Sequence, residues 1–529
     1  MRGNISWRAV LVFSLALAVL GLAAGQAPAA DLTWDTVPGV VGGGDGSITG
    51  GAGTWDTTTG NWTSDGGANN VAWDNTANAN DTAVFTGTAG VVDLGADITL
   101  NGMRIDTGYT IGTSSNETNI LNFVGTTPQI TFTVANTYIY AGITGSPNLN
   151  VGLPDKSSSY LVPNVQNMTL GHVTYYTKYG SRLHLAGTTS GNSIASFNST
   201  VSYATIYVDG SGTWTLGNIG GTGQVELYQT SGNLIANGTI DISTYFQIKG
   251  GVFHYNNAAA VAASKRLTMM GGDLDNSSGV AIVSTNNHAM YWSGDFTFIG
   301  SKGVLSNLDL GAGAVTMNAT RQVTIQNADT TLTVGGVISG ATFGLTKAGL
   351  GTLALSGANA YTGPTTVNAG TLLARNATAL GAGSAANVTV ATNAALNYYA
   401  AADSPLTIGG NLAVAGGAGT AIGVSVGSTA TSAAINVTGD ATITDGQHTV
   451  NIVGVNGVAH ATGPVTLIHG GGAGSSLAPA TAPTLGIVYN NTDFTINPTA
   501  GDGGTQPFTR TATDLQITTV SATPLTSAV

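Results

Sequence analysis

A short cluster of basic and acidic residues is the part of this sequence best suited to catalysis. The segment SKRLTMMGGDLDN at residues 264–276 places Lys265 and Arg266 before Asp273 and Asp275. Enzymes that cleave a glycosidic bond need either paired carboxylates or calcium with a basic residue in a groove. In a β-strand, acids two residues apart would share one face. A solvent-exposed turn in which opposite charges meet accounts for the same residues, and we favour that interpretation.

Other catalytic and metal-binding patterns are missing from the sequence. It contains no cysteine, no G-x-S-x-G, no H-E-x-x-H and no phosphate-binding glycine loop. Among the scattered histidines, His172 and His184 flank an aromatic segment and would be neighbours only if they fell on successive turns of the fold. No carboxylates stand at a spacing that would complete a zinc site with them. We therefore assign no catalytic, cofactor-binding or metal-binding residue and expect no cofactor.

Two groups of aromatic residues have the chemistry to stack on sugars. Four of the seven Trp lie within residues 34–73, and the second group lies within residues 175–255. Because strand aromatics usually fill the core, we interpret the Trp residues as a hydrophobic cap and the second group as core filling. An outward sugar-binding surface is the alternative for each group. The second group comprises the run YYTKY at 175–179 and Tyr203, Tyr207, Trp214, Tyr228, Tyr245, Phe246, Phe253 and Tyr255.

The composition predicts an exported, folded chain. Of the 529 residues 42% are hydrophobic and only 8% are charged, which argues against disorder. The formal net charge of −12 argues against a nucleic-acid partner, which requires clustered Lys and Arg. Residues 1–29 combine two Arg, an apolar run and small residues at the end, and they predict a signal peptide, with a membrane anchor as the alternative. We expect no transmembrane segment after its cleavage.

Short alternating segments predict that the fold is all-β. Aliphatic residues stand at i and i+2 in TLTV at 331–334, TLAL at 352–355 and VTV at 388–390, and turns rich in Gly and Asn separate such segments. Stacked β-sandwich domains and a parallel β-solenoid both have many short strands. Sandwich strands usually run five or six residues around a bulky aromatic core. Because these strands are shorter and flanked by small residues, we favour the solenoid.

Residues 345–373 carry a resemblance to a known repeat. The segment LTKAGLGTLALSGANAYTGPTTVNAGTLL resembles the autotransporter-associated β-strand repeat of exported bacterial proteins. The resemblance implies a parallel β-helix passenger, and it implies no reaction because a scaffold does not fix function. In such a coil we expect Leu353, Leu355, Val367 and Leu372 to point inward. The positions on the repeat pattern are Lys347, Gly349, Gly351, Thr352, Leu353, Leu355, Gly357, Asn359, Tyr361, Gly363, Thr365, Val367, Gly370 and Leu372.

These observations predict a right-handed parallel β-solenoid with an N-terminal cap. We expect an adhesin-like structural protein, secreted or on the outer cell surface, that contacts glycans or neighbouring cell-surface components and has no catalytic activity. A glycan-binding module and a polysaccharide lyase or hydrolase are the alternatives. The predicted regions are a signal peptide at 1–29, a Trp-containing cap with the first turns at 30–115, solenoid at 116–340, the autotransporter-associated repeat at 341–400, and a continued solenoid or small β-domain at 401–529.

Overall fold

The computed structural model describes most of the chain after residue 28. The predicted signal peptide lies outside the described residues apart from its last position, and so do residues 176–179 of the aromatic run YYTKY. The described ranges are 29–37, 41–113, 117–154, 157–175, 181–199, 203–221, 223–242, 245–399, 404–426, 433–455, 463–488, 495–496 and 507–521.

The backbone winds into a coil in which each turn, here called a rung, pairs in parallel with the next. The segment Thr352–Leu355, for example, pairs in register with Thr371–Ala374 on the following rung. Alternation sends Leu353 and Leu355 into the interior, where both are fully buried. In-register pairing then sets aliphatic side chains above one another along the whole coil. The predicted all-β class and parallel β-solenoid architecture are confirmed.

Three long sheets form the faces of the coil. Every pairing within the second and third sheets is parallel, and in the first sheet only Trp62–Thr63 runs antiparallel, to Asp31–Trp34. The first sheet comprises Asp31–Trp34, Trp62–Thr63, Thr82–Phe85, Gly102–Ile105, Gln129–Phe132, Asn148–Val151, Thr169–Tyr175, Asn192–Ser199, Thr213–Gly221, Asn233–Ala236, Val252–Tyr255, Asp273–Asp275, Phe296–Phe298, Arg321–Ile325, Leu345–Ala348, Thr365–Val367, Val388–Val390, Leu412–Val414 and Ala441–Ile443.

The second sheet has 13 strands. Its strands are Gly53–Trp55, Val91–Leu94, Thr110–Ile111, Tyr138–Ile139, Ser158–Leu161, Arg182–Leu185, Ala204–Val208, Val225–Gln229, Tyr245–Ile248, Arg266–Met269, Ala289–Trp292, Val315–Met317 and Ile338–Ser339. The third sheet comprises Ile282–Val283, Leu308–Asp309, Thr331–Val334, Thr352–Leu355, Gly370–Ala374, Ala394–Tyr398, Ala421–Val426, Thr449–Val455 and Thr484–Val488.

Two smaller sheets and a short helix complete the described structure. Ile98–Leu100, Ile120–Phe123 and Gly142–Thr144 form a three-stranded parallel sheet, and Gly303–Ser306 is a 3₁₀ helix. The last sheet comprises Leu406–Ile408, Ile435–Val437, Gly463–Gly470, Thr495–Ile496, Phe508–Arg510 and Asp514–Ser521. Within the described part of the chain, no helix has the length and apolar character needed to cross a membrane.

The two ends of the coil are built differently from its middle. At the N-terminal end Trp34, Trp55, Trp62 and Trp73 are fully buried, and Trp34 meets Trp62 edge to face with ring centroids 5.1 Å apart. The predicted hydrophobic cap therefore fits these residues, and the alternative of an exposed sugar-binding Trp face is wrong. At the other end Asp514–Ser521 pairs antiparallel with Gly463–Gly470. Closing an otherwise open strand edge in this way removes a site for uncontrolled pairing with another chain.

The repeat-like segment behaves as alternation predicts. Val367 and Leu372 are fully buried, as are the two inward leucines described above. Gly370 has φ +62°, a left-handed conformation that a side chain would strain, and an added Cβ would lie 2.4 Å from the carbonyl oxygen of Gly349. Asn359 joins neighbouring turns, since its Nδ2 donates to the carbonyl of Ala379 and its Oδ1 accepts from the backbone N–H of Ile338.

Replacing Trp55 by Ala tests the cap. Removing this fully buried ring should lower the free energy of unfolding by about 3–5 kcal/mol. Because each rung contacts only its neighbours, amide hydrogen exchange should accelerate over residues 31–111 and stay unchanged over 345–398. Val91→Ala is the matched control, since Val91 is exposed in the same region. Faster exchange spread evenly over both regions would contradict local coupling.

Candidate functional site

The predicted catalytic cluster is divided between two faces of the coil. Asp273 and Asp275 lie on a strand of the first sheet, whereas Arg266 begins a strand of the second sheet. Lys265 Nζ lies 3.2 Å from the Oδ1 atom of Asp241. The structure therefore does not bring the two acids and the basic pair together into one groove.

Asp275 is buried, so the interpretation of this acid as part of a solvent-exposed turn is wrong. Its Oδ1 accepts hydrogen bonds from the backbone N–H groups of Gly300 and Ser301, both at 3.1 Å, and its Oδ2 accepts one from the Ser301 hydroxyl at 2.6 Å. His254 Nδ1, on the neighbouring strand, lies 3.5 Å from Oδ2. The Oδ1 atom of Asp273 accepts a hydrogen bond from the Thr297 N–H. These contacts occupy the carboxylates within the scaffold.

The protonation of Asp275 reflects its surroundings. Burial raises the pKa of its carboxyl group, but the contacts with His254 and Ser301 outweigh burial and hold the pKa below the ordinary value of 3.8. A general acid at neutral pH needs a raised pKa. Asp275 is thus a carboxylate bound by hydrogen bonds and stays ionised at neutral pH.

The predicted aromatic group separates into inward and outward members. Those that fill the core as predicted are Tyr175, Trp214, Phe246, Phe253 and Tyr255. Tyr207, Tyr228 and Tyr245 lie instead on the outer face of the second sheet, and Tyr245 is 40% exposed. For these three tyrosines the prediction of core filling is wrong, because alternation along their strands turns them away from the interior.

Tyr207 and Tyr228, but not Tyr245, belong to a column that crosses several rungs, here called the tyrosine column. In-register pairing places one member on each of five successive strands, and the members are Tyr138, Tyr160, His184, Tyr207 and Tyr228. Successive ring centroids lie 4.5, 4.4, 4.8 and 5.3 Å apart. The first three contacts are stacked, and the last is tilted by 35°. Sequence reasoning did not single out Tyr138 or Tyr160, which precede the aromatic residues named at 175–255.

Stacking determines which part of each ring a ligand can reach. Ring faces in the middle of the column cover one another, so their edges and hydroxyl groups point to solvent. Tyr228 Oη donates a hydrogen bond of 3.0 Å to Glu226. Burial and this carboxylate raise the pKa of Tyr228, which keeps its phenol neutral. The column thus offers a continuous strip of ring edges and hydroxyls about five rungs long.

The two histidines considered for a shared site lie on strands of different sheets. His172 lies on the first sheet and contacts Ser196 Oγ through Nδ1 at 2.6 Å. His184 lies in the tyrosine column and contacts Asp209 Oδ2 through Nδ1 at 2.5 Å. They lie on different faces of the coil and not one above the other on successive rungs. No group of three or more His, Cys, Asp or Glu suited to a metal ion occurs among the described residues.

Lys347 is a buried cation, and the sequence analysis did not predict its burial. It is fully buried, and its Nζ donates to the carbonyl oxygens of Ala348, Gly349 and Ala369 at 2.8, 2.8 and 2.9 Å. Burial lowers the pKa of its ammonium group to about 8. The sequence does indicate this burial, because Lys347 stands two residues after the inward Leu345 and alternation places both side chains on the same face of the strand. The bond to Ala369, which lies on the following rung, ties one rung to the next.

Stacked parallel strands with a buried aliphatic core and an outward aromatic column define a β-solenoid. Comparison with known families agrees, because residues 345–374 match the family model described as the passenger-associated-transport-repeat. The resemblance to an autotransporter passenger repeat is thereby confirmed for this segment. It spans the buried Lys347 and the inward leucines of the coil.

Two known proteins are similar to parts of this chain. The adhesin BmaC autotransporter of Brucella suis biovar 1 (strain 1330) is 35% identical over 149 residues, which is 27% of this chain. The match spans 4% of the length of that relative. The crystal structure of the Haemophilus influenzae Hap adhesin is 10% identical, with 86% of this chain and 65% of that chain covered and a TM-score of 0.24. The fold assignment rests on the strand pairing described above.

Replacing Lys347 by Met tests the role of the buried ammonium. At pH 7 the variant should be less stable by about 1–3 kcal/mol, because three buried carbonyl oxygens lose their donor. The folded pKa of about 8 lies below the ordinary value of 10.5, so the folded chain releases this proton first. Stability of the unmodified chain relative to the variant should therefore rise from pH 8 to pH 10.5 in denaturant unfolding. Lys302→Met, at an exposed position, should show no such trend, and a falling difference would contradict the assignment.

Proposed function

We propose that this chain is an exported, adhesin-like rod that contacts extended glycans through the tyrosine column and catalyses no reaction. The observation that carries the proposal is the column itself, a repeated strip of aromatic edges and hydroxyl groups on an outer face. Placement outside the cell or on its outer surface is part of the same proposal. It is supported by the passenger repeat and by the name of the Brucella suis relative, which is called an adhesin.

The spacing of the column suits a polymer better than a single small molecule. Rungs of a parallel solenoid repeat every ~4.8 Å. An extended polysaccharide advances by about the length of one sugar ring per residue, which is close to that repeat. A chain lying along the coil would therefore meet an equivalent set of groups at each sugar. Many weak, repeated contacts of this kind give useful avidity without a deep pocket.

The alternative of a polysaccharide lyase or hydrolase has less support. Such an enzyme needs an acid and a base that reach one substrate bond. The Asp275 carboxylate is buried and accepts three hydrogen bonds from Gly300 and Ser301, and Arg266 lies on another sheet. We therefore keep binding without turnover as the proposed activity.

Removing rings from the tyrosine column tests glycan binding. The double variant Tyr160→Thr and Tyr207→Thr keeps strand-favouring residues while deleting two ring edges. Binding to immobilised polysaccharides, measured by biolayer interferometry over a panel of plant and bacterial polymers, should weaken about tenfold. Tyr399→Thr is the control, because Tyr399 is exposed and follows a strand of the third sheet. Equal loss in the control, or unchanged binding in the double variant, would count against the column as the contact surface.

A turnover assay tests the absence of catalysis. The purified chain, incubated with the same polymers, should release no new reducing ends and form no unsaturated products. The acids are held by the scaffold, so Asp273→Ala and Asp275→Ala should give traces that match the unmodified chain. Reproducible product formation that disappears in either variant would replace the binding proposal with an enzymatic one.

A further inference from the structure

Beyond Tyr228 the tyrosine column is interrupted for two rungs, which carry no aromatic residue at the column position. Gln247 and Thr268 continue the same column in register, and Tyr291 restores an aromatic ring on the next rung. Gln247 and Thr268 carry no ring that could stack, and Thr268 is buried. We call this two-rung interval the gap. With rungs ~4.8 Å apart, the flanking tyrosines are about 14 Å apart along the coil.

Two exposed cations lie beside the gap. Lys249 shares the rung of Gln247, and its Nζ lies 4.4 Å from the ring centroid of Tyr228. Arg266 shares the rung of Thr268, and its Cζ lies 5.3 Å from the ring centroid of Tyr291. Each cation thus covers the ring face that borders the gap, which is the favourable geometry for a cation–π contact. Their charges stand on opposite sides of the interval.

Neither cation has a carboxylate partner within 4.0 Å among the residues that the structure describes. Arg104, Lys265 and Arg321, by contrast, each form ion pairs. The same outer face carries Arg182, which is also exposed and also outside the described ion pairs. Three unpaired basic residues on one face are notable in a chain with 14 Lys and Arg against 26 Asp and Glu.

Two acids of this face already have hydrogen-bonding partners. Glu226 accepts the hydrogen bond from Tyr228 described above, and Asp209 contacts His184. Glu226 keeps its negative charge when it accepts a hydrogen bond from a phenol, so Lys249 and Arg266 together leave the gap with a net positive charge between two aromatic rings. An anionic group placed there would gain two charge-assisted contacts at little cost in displaced partners.

We propose that the gap binds a carboxylate or sulfate group of an acidic polysaccharide lying along the tyrosine column. The inference rests on the proposed function, since it names the chemical class of glycan that the column takes. Lys249 and Arg266 would supply the counter-charge, while Tyr228 and Tyr291 would contact the adjoining sugar rings. Nucleic acid and anionic membranes are less suitable partners, because they require many clustered cations and the chain as a whole is acidic.

The test compares two polymers that differ only in charge. Binding of polygalacturonate and of its fully methyl-esterified form is measured with the full chain and with the double variant Lys249→Gln, Arg266→Gln. Polygalacturonate should bind at least about tenfold more tightly than the ester, and the double variant should lose that preference. The preference should also shrink as salt rises. Lys302→Gln with Arg375→Gln removes the same charge from exposed positions on other faces and should change nothing.

The remaining outcomes separate this inference from the proposed function. Equal binding of both polymers, unchanged by the double variant but weakened by loss of Tyr160 and Tyr207, would overturn the acidic class and leave glycan binding standing. Binding of neither polymer, nor of heparin as a sulfated probe, would overturn both. Tighter binding of double-stranded DNA or of phosphatidylserine vesicles, dependent on Lys249 and Arg266, would overturn the polysaccharide as the ligand.

Discussion

In-register parallel pairing is the constraint on which the rest of this structure depends. Each rung places its side chains directly over those of the rung before. The residue type at one position must therefore be compatible with the residue types directly above and below it. Inside the coil this produces columns of aliphatic residues such as Leu353 over Leu372. Outside the coil it produces the tyrosine column. The same hydrogen bonds that hold the scaffold therefore organise both its core and its surface.

That constraint also limits the chemistry that the surface can perform. Stacked rings hide their faces from a ligand, and what remains is a row of edges and hydroxyl groups at the rung spacing. A single deep site for one sugar does not arise from such a row. A polymer with a matching repeat is the kind of partner that benefits from it. At Gln247 and Thr268 the uniform row of rings is interrupted, and two exposed cations lie beside this interruption.

The sequence predicted the fold better than it predicted the surface. Alternation identified Leu353, Leu355 and their partners as inward, because that property is local to one strand. The tyrosine column depends instead on register between rungs, and unequal numbers of residues separate its members, so no fixed period marks it. The burial of Lys347 and of Asp275 was missed for another reason. Their charge suggested exposure, whereas backbone carbonyls around one and N–H groups around the other satisfy them in buried positions.

Catalysis needs an acid and a base close together, whereas in-register pairing in a regular solenoid tends to place residues of the same type beside one another. An acid and a base do meet at one in-register pair, where His254 lies beside Asp275 on the neighbouring strand. Hydrogen bonds from Gly300 and Ser301, however, engage both oxygens of that carboxylate. The cations beside the gap show the opposite situation, with charge exposed and unpaired. Charges with hydrogen-bonding partners belong to the scaffold of this chain, and exposed charges without a carboxylate partner belong to the proposed contact surface.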